Sequence, residues 1–213
     1  MLQTSSRSVE FSYVPERSLK SVVVVGQFNN WDRARHPLQR QSDGKTWRGR
    51  FEIPVGVYQY LFCEDNERWV PDPAAPKVSD ANGNTNSKLV VVPREYDDLP
   101  GVPGDGNVTL SAVDHKPDRS DTARLDRTTG YVRLQTRAND VARVLVESNG
   151  RRTPMEKVGG DEIRDLWQGK LRIEETTTRY RFILDDAPPP PFASKGRRGQ
   201  GEEFTTPWYQ QRL

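Results

Sequence analysis

The chain has 213 residues, a length that suits two domains of about 100 residues each. Its mean hydropathy of −0.84 leaves only thin cores, and its most apolar run, Val22 to Val25, falls far short of the ~20 residues of a membrane-spanning helix. Residues 1–99 carry 13 basic and 13 acidic side chains and residues 100–213 carry 19 and 17, so neither half has the basic excess of a nucleic-acid binder.

In the first half, strand character runs over Val9–Val14, Ser21–Phe28, Trp47–Ile53, Val57–Glu64 and Ser87–Val92. In the second it runs over Val108–Val113, Tyr131–Arg137, Val141–Glu147, Leu166–Ile173, Arg179–Leu184 and the edge segment Phe204–Thr206. All are short, rich in β-branched and aromatic residues and bounded by Gly, Pro, Asn or Asp. No stretch sustains a 3.6-residue apolar period, so long helices are not expected, and Asp161–Arg164 reads as a single helical turn. One pattern occurs twice at the same spacing. Trp47-x-Gly49-x-Phe51-x-Ile53 precedes Tyr60-Leu-Phe62, and Trp167-x-Gly169-x-Leu171-x-Ile173 precedes Tyr180-Arg-Phe182. Each half alternates apolar with polar residues, the period of a half-buried strand, and the segments between, Pro54–Gly56 and Glu174–Thr177, are short enough for hairpin loops. The expected fold class is therefore all-β, with two tandem immunoglobulin-like β-sandwich modules built to one plan.

Between them, Leu99-Pro-Gly-Val-Pro-Gly-Asp-Gly106 has the composition of a linker. It lacks the Lys-Ser/Thr of a phosphate-binding loop. The expected division is residues 1–95 for the first module, 96–107 for the linker, 108–207 for the second module and 208–213 for a following junction. Pro188–Pro191 reads as a stiff polyproline II loop leading into the Gly/Arg-rich stretch Lys195–Gly201.

Little in the chain suggests catalysis. The adjacent acids Asp97-Asp98, Glu174-Glu175, Asp185-Asp186 and Glu202-Glu203 sit in apparent turns, where acids are ordinarily solvated, and neighbours on a strand point to opposite faces. A glycosidase needs two carboxylates held across a bond. His36 and His115 lack metal-ligand spacing, no nucleophile elbow occurs, and the lone Cys63 excludes an internal disulfide or a Cys-based zinc site. No catalytic residue, metal site or cofactor is expected, and the chain itself is not expected to be an enzyme. Met1–Arg7 has no apolar signal region, which favours a cytoplasmic protein and leaves secretion open.

The aromatic residues outside the repeated pattern carry more. Gly26-Gln-Phe-Asn-Asn-Trp31 ends the most apolar strand, and Trp69 precedes Val70-Pro-Asp-Pro73. A Trp just past a strand end either seals a core edge or faces solvent. Flat indole faces suit the C–H faces of pyranose rings, and Asn or Asp between them can bond ring hydroxyls.

Residues from about 9 to 92 resemble a family 48 carbohydrate-binding module, the glycogen-binding type of the AMP-activated protein kinase β subunit and of branching and debranching enzymes. The carrying residues are Gly26–Trp31, Gly56-Val-Tyr-Gln-Tyr60-Leu-Phe62, Trp69-Val-Pro-Asp72-Pro73 and Asn84-Thr-Asn86. The resemblance implies that Trp31 and Trp69 stack on α-glucan and that Asn84 and Asn86 hydrogen-bond it. Leu61 stands where the kinase-subunit branch has a sugar-contacting Lys, and Asn82 where it has an apolar residue. Such a site requires two bare indoles close enough to coplanar to cradle a curved chain of glucose units.

Residues from about 108 to 207 are similar to a family 34 module, the N-terminal domain of neopullulanases, cyclomaltodextrinases and maltogenic amylases. The matching residues are Ala112–Pro117, Tyr131–Arg137, Met155–Gly159, Asp161-Glu-x4-Trp167 and Arg179–Phe182. His115 is then expected to be a structural contact and Trp167 a core residue. Pro207–Leu213 resembles the junction ahead of a catalytic barrel. The resemblance thus implies the N-terminal region of a glycoside hydrolase family 13 enzyme acting on α-1,4/α-1,6-glucans. Its expected partners are an α-glucan such as starch, glycogen or pullulan, a C-terminal catalytic (β/α) barrel and a possible homodimer mate, with no nucleic acid and no membrane. Two other roles stay open: purely structural or dimerisation modules, and a regulatory glycogen-targeting scaffold subunit.

Overall fold

The computed structural model describes residues 5–98, 101–117, 120–173, 178–186, 203–205 and 209–211. The chain divides into two compact units, Met1–Arg94 and Glu95–Leu213, each a sandwich of two antiparallel sheets.

The first unit contains β1 (Ser6–Tyr13), β2 (Val22–Gly26), β3 (Gln39–Arg40), β4 (Trp47–Pro54), β5 (Gly56–Glu64), β6 (Arg68–Val70), β7 (Lys77–Ser79) and β8 (Thr85–Val91). One sheet has the order β1-β4-β3, and the other β2-β5-β8-β7 with β6 also on β5. Their inner faces meet through Phe11, Tyr13, Trp47 and Ile53 on one side and Val22, Val24, Tyr60 and Phe62 on the other. Tyr13 stacks on Phe62 at 4.4 Å, and Phe11 meets Tyr60 edge-on at 5.3 Å.

β2 is unusual in being buried along its whole length. Val22 and Val24 face the sandwich, and Val23 and Val25 form a second apolar patch with Leu61 and Cys63 of β5, against which Trp31 packs. A strand covered on both faces reads as a continuous apolar run rather than an alternation. It ends early at Gly26, because Gln27–Asn29 turns into a 3-10 helix where an extended strand to Phe28 was expected.

The second unit contains β9 (Thr122–Arg124), β10 (Thr129–Arg137), β11 (Arg143–Ser148), β12 (Arg151–Pro154), β13 (Glu156–Gly160), β14 (Arg164–Arg172), β15 (Thr178–Asp185), β16 (Glu203–Thr205) and β17 (Tyr209–Gln211). Its sheets have the orders β13-β14-β10-β9 and β12-β11-β15-β16, with β17 also on β15. Val132, Leu134, Trp167 and Leu171 oppose Val144, Val146, Tyr180 and Phe182 across the core. Gly104 and Gly106 N–H groups donate to the fully buried Asp186 at 2.7 and 2.9 Å, and Ala142 N–H does so at 3.0 Å. The Arg137 guanidinium lies 4.3 Å from the centre of the Tyr96 ring.

Several sequence expectations are corrected. The Trp-to-Tyr pattern is not a hairpin in either unit. β4 pairs with β1 and β3 whereas β5 pairs with β2, β6 and β8, and β14 and β15 likewise belong to different sheets. Alternation tells which face of a strand is apolar but not which strand lies beside it, so a sheet-to-sheet corner and a hairpin look alike. Residues 108–113 form a 3-10 turn at Leu110–Ala112 instead of a strand, and only Asp114 bridges to Gln135. Asp161–Arg164 is not helical. The Asp161 carboxylate accepts from Ile163 and Arg164 N–H at 2.7 and 2.8 Å, closing the β13–β14 hairpin as Asp does in tight turns. Asp186, read as a solvated turn acid, is a core acceptor for three backbone donors. Such bonding is what lets a carboxylate be buried.

The expectations for Glu174–Thr177, Pro188–Pro191, Lys195–Gly201, Thr206 and Trp208, and for Leu99 and Pro100 in the linker, lie outside the described residues. Tyr209–Gln211, assigned to a junction, pairs with Thr178–Tyr180 of β15. Among the described residues no helix is long and apolar enough to cross a membrane.

Candidate functional site

The outer face of the β2-β5-β8-β7 sheet opens a cleft of about 510 Å³ lined by Trp31, Leu61, Trp69, Asp80, Asn84, Thr85 and Asn86. All five residues expected from the sequence to form a site (Trp31, Leu61, Trp69, Asn84 and Asn86) are thereby brought together.

Trp69 arrives by a two-residue hairpin. Asp65 and Asn66 both have positive φ, 48° and 64°, and Glu67 N–H donates to the Glu64 carbonyl at 2.9 Å, which is the geometry of a type I′ turn. The turn sets Trp69 opposite Cys63 on β5, so its side chain shares the face of Leu61 and Cys63. Asp72, the acid of the Asp-Pro signature, fastens the segment behind it. Tyr60 Oη donates to Asp72 Oδ2 at 2.5 Å, Ala74 N–H to its Oδ1 at 2.8 Å, and Asp72 N–H to Ser87 Oγ at 2.7 Å. This residue is buried and structural, not a ligand group.

Trp31 comes from the other side, after the 3-10 turn. It is half-buried, lying over Val23, Val25, Leu61 and Cys63, whereas Trp69 is 40% exposed. The two indole centroids are 5.9 Å apart and the planes are inclined at 37°, so the rings form a shallow V and are not coplanar. The polar wall is the β7–β8 loop. Asp80 Oδ1 accepts from Asn82 and Asn84 N–H at 2.9 and 2.8 Å, and Asp80 Oδ2 accepts from Asn84 Nδ2 at 2.9 Å. Gly83, at φ +81°, supplies the left-handed position the loop needs. The Asn84 amide and N–H, with Asn82 and Asn86, hold the Asp80 carboxyl below the usual carboxylate range, so it stays ionised. Asn86 is buried at the base and donates to Gln59 Oε1 at 2.8 Å, while Gln59 N–H donates to Gln27 Oε1 at 2.7 Å. Asn82 is exposed on the loop and is not part of the cleft wall.

An apolar V, a fixed carboxylate and two amides can stack on a ring and bond its hydroxyls. Two carboxylates facing each other across a substrate, as hydrolysis requires, are not found among the cleft residues. Among the described residues, no group of three or more His, Cys, Asp or Glu side chains could hold a metal ion. Sequence reasoning missed Asp80 and Thr85. The signal for Asp80 was local: an Asp ahead of Asn-Gly is the residue that caps such a loop with its own carboxylate.

In the second unit Trp167, Tyr180 and Phe182 are buried in the core, whereas Tyr131 lies on the outer face of β10 beneath the Arg133 guanidinium. Trp167 is buried and its Nε1–H donates to Thr136 Oγ1 at 2.9 Å. His115 Nδ1 lies 2.6 Å from the Arg133 carbonyl and Nε2 2.9 Å from Tyr180 Oη. Since a carbonyl only accepts, Nδ1 carries the proton and Nε2 accepts from the tyrosine. Burial, the largest effect, keeps this imidazole below its ordinary pKa despite the Arg133 carbonyl and Asp121, which raise it.

Residues 10–97 match the family described as the glycogen recognition site of AMP-activated protein kinase. Residues 108–203 match that described as the alpha amylase N-terminal ig-like domain. A 1,4-alpha-glucan branching enzyme of Oceanobacillus iheyensis is 38% identical over 73 residues, which is 32% of this chain and 11% of that protein. The chain therefore spans only a small part of that relative's length. Among solved structures, the maltogenic amylase from S. marinus is 18% identical with a TM-score of 0.36, over 84% of this chain and 25% of that one. A cyclomaltodextrinase is 25% identical with a TM-score of 0.33, over 35% of this chain and 14% of that one.

Proposed function

We propose that this chain, whose two modules fit the N-terminal region of a glycoside hydrolase family 13 enzyme, grips α-glucan in the cleft of its first module and presents it to a catalytic barrel of the parent enzyme. The observation that carries this reading is the V of Trp31 and Trp69, open on one side of the sheet with polar groups along one wall. The rings depart from the expected pair of bare, near-coplanar indoles, being inclined at 37° with Trp31 half-buried. An α-1,4-linked glucose chain curves, so successive rings turn relative to one another and two inclined platforms can each meet one residue. Leu61 is the apolar floor between them. Asn84 and Asn86 orient the hydroxyls, with Asp80 holding the Asn84 amide in place; each net hydrogen bond contributes about 0.5–1.5 kcal/mol. Tethering such a site to a catalytic domain raises the local substrate concentration without any new contact.

The second module is read as a structural spacer, since Trp167, Tyr180 and Phe182, the aromatics of its copy of the repeated pattern, all lie inside its core. It packs on the barrel or on a second subunit. The match of residues 108–203 to an amylase domain also weighs against a regulatory scaffold subunit. The test is retention in a glycogen affinity gel together with a pull-down on insoluble starch. Replacing both indoles (Trp31→Ala with Trp69→Ala) is expected to abolish retention, a loss of about a hundredfold or more in affinity. Wild-type protein that passes through glycogen and starch unretarded would overturn the reading. A glucan-hydrolysis assay on this chain is expected to show no turnover.

A further inference from the structure

Trp31 stands on backbone that its residue type resists. Asn30 and Trp31 both adopt left-handed φ, 54° and 60°. For a bulky side chain that conformation costs on the order of 1–3 kcal/mol and persists only where the surroundings enforce it. The enforcement comes through Asn29, a buried amide two residues earlier in the chain. Asn29 Oδ1 accepts from Gly26 N–H at 2.9 Å and Asn29 Nδ2 donates to the Val24 carbonyl at 3.0 Å. A backbone N–H only donates and a carbonyl only accepts, so these bonds settle which end of the amide is which. The Gly26 carbonyl in turn accepts from Trp31 N–H at 2.9 Å, so Gly26 is clamped at both ends between Asn29 and Trp31.

The same Nδ2 group lies 2.7 Å from His36 Nδ1. Facing a donor, that ring nitrogen has to accept. It therefore carries no proton, and the imidazole is neutral with its hydrogen on Nε2. The ring is fixed independently, edge-on against Phe28 and Phe51 with centroids 5.6 and 4.6 Å away, and the Val24 N–H donates to the His36 carbonyl at 2.9 Å.

We infer that Asn29 and His36 form a proton-sensitive latch that positions Trp31, so that the first module holds glucan while His36 is neutral and releases it when His36 is protonated. The inference rests on the proposed role of the indole V. Protonation at Nδ1 sets one N–H against another across 2.7 Å, where no hydrogen bond can form. Asn29 or His36 then has to withdraw, the clamp on Gly26 loosens, and Trp31 relaxes from its left-handed backbone. The groups facing His36 are Arg35 and Asp32 on its own loop, Phe51 from β4, Phe28 and Asn29 from the 3-10 turn, and the Val24 backbone from β2. Burial lowers the imidazole pKa below the ordinary 6.5, Arg35 lowers it further and Asp32 opposes both. The latch therefore stays closed at neutral pH and opens only on acidification. Asp80 is held below the usual carboxylate range by the Asn84 amide and N–H, so acidification neutralises it later than an ordinary carboxylate.

The test exploits the two indoles themselves. At 5.9 Å they couple electronically and give an exciton couplet in circular dichroism that depends on the position of Trp31 but not on any sugar. The couplet and glycogen retention are to be recorded between about pH 7.5 and about pH 4.5, the range that spans a depressed histidine. Three chains are compared: wild type, His36→Asn, whose Oδ1 can replace Nδ1 as a non-titrating acceptor, and His36→Leu, which has no acceptor. In wild type the couplet is expected to fade and retention to weaken about tenfold or more on the same pH curve. In His36→Asn neither should change with pH, whatever its affinity at neutrality. His36→Leu should show a reduced couplet throughout. A wild-type couplet that is flat with pH, or a His36→Asn couplet that titrates like wild type, would overturn the latch. If the wild-type couplet titrates while glycogen is retained at no pH, the latch stands and the glucan reading falls.

Discussion

Trp47 and Trp167 begin the same pattern in the two modules and end in the same place, buried in a sandwich core. Two residues on, Gly49 and Gly169 both occupy positions where a Cβ would press on a core side chain, at 2.7 Å on Phe51 and 2.6 Å on Met155. Tyr60 and Tyr180 then point inward beside Phe62 and Phe182, but their hydroxyls find different anchors: Asp72 in the first module and His115 in the second. The outer faces differ more. In the first module it is apolar at Val23, Val25, Leu61 and Cys63 and is roofed by an indole. In the second, the corresponding face carries Leu145 beside the fully buried Ile183, flanked by Glu147 paired with Arg181 at 3.2 Å and Asp185 with Arg143 at 2.5 Å. The repeated pattern builds a sandwich; the candidate cleft lies where the described lining residues form no such ion pair and an indole outside the pattern covers the outer face.

The comparison can be attacked first at the shared core. Phe62→Ala and Phe182→Ala remove fully buried rings at equivalent positions, and each is expected to lose about 3–5 kcal/mol in urea unfolding of its own module. If one of them were tolerated, the two cores would not be equivalent. The modules should then separate on glucan binding. Trp69→Ala is expected to weaken glycogen retention by about tenfold or more while shifting stability by less than about 1 kcal/mol, because the ring is largely outside the core. Trp167→Ala should do the reverse, destabilising the second module with retention unchanged.

The tyrosine anchors offer a finer cut. Tyr60→Phe removes a donor from a buried carboxylate, an interaction of about 1.5–3 kcal/mol, whereas Tyr180→Phe removes one from a neutral imidazole, about 0.5–1.5 kcal/mol. Equal losses would mean the anchors are interchangeable. The smallest effect concerns acid stability of the second module. His115 has a folded pKa below its ordinary 6.5, so the unfolded chain binds the proton more readily. Its contribution is present above that ordinary value and is lost as pH falls through the folded value. Thermal melts of wild type and His115→Gln at falling pH should converge for this module, and a gap that widens with acidity would contradict the neutral assignment.

The long strands were legible because their alternation reports a half-buried face, as in β10, where Gly130, Val132, Leu134 and Thr136 all turn inward. Short edge strands such as β6, β7, β12 and β13 were not, since they are mostly exposed and carry no apolar period. Within the site, Trp31 and Trp69 were legible through a family likeness. Asn29, His36 and Asp80 were not, because a polar residue that props up a loop has the same local signature as one that faces water.

Composition and periodicity alone therefore determined an all-β chain of two halves, since both depend only on a residue and its near neighbours. Which strand lies beside which, and that Trp31, Trp69 and the β7–β8 loop meet at one cleft, depended on pairings between residues far apart in the chain, such as Val25 with Leu61 and Tyr60 with Ser87. Those pairings are made by backbone groups that every residue carries, so no side-chain pattern announces them.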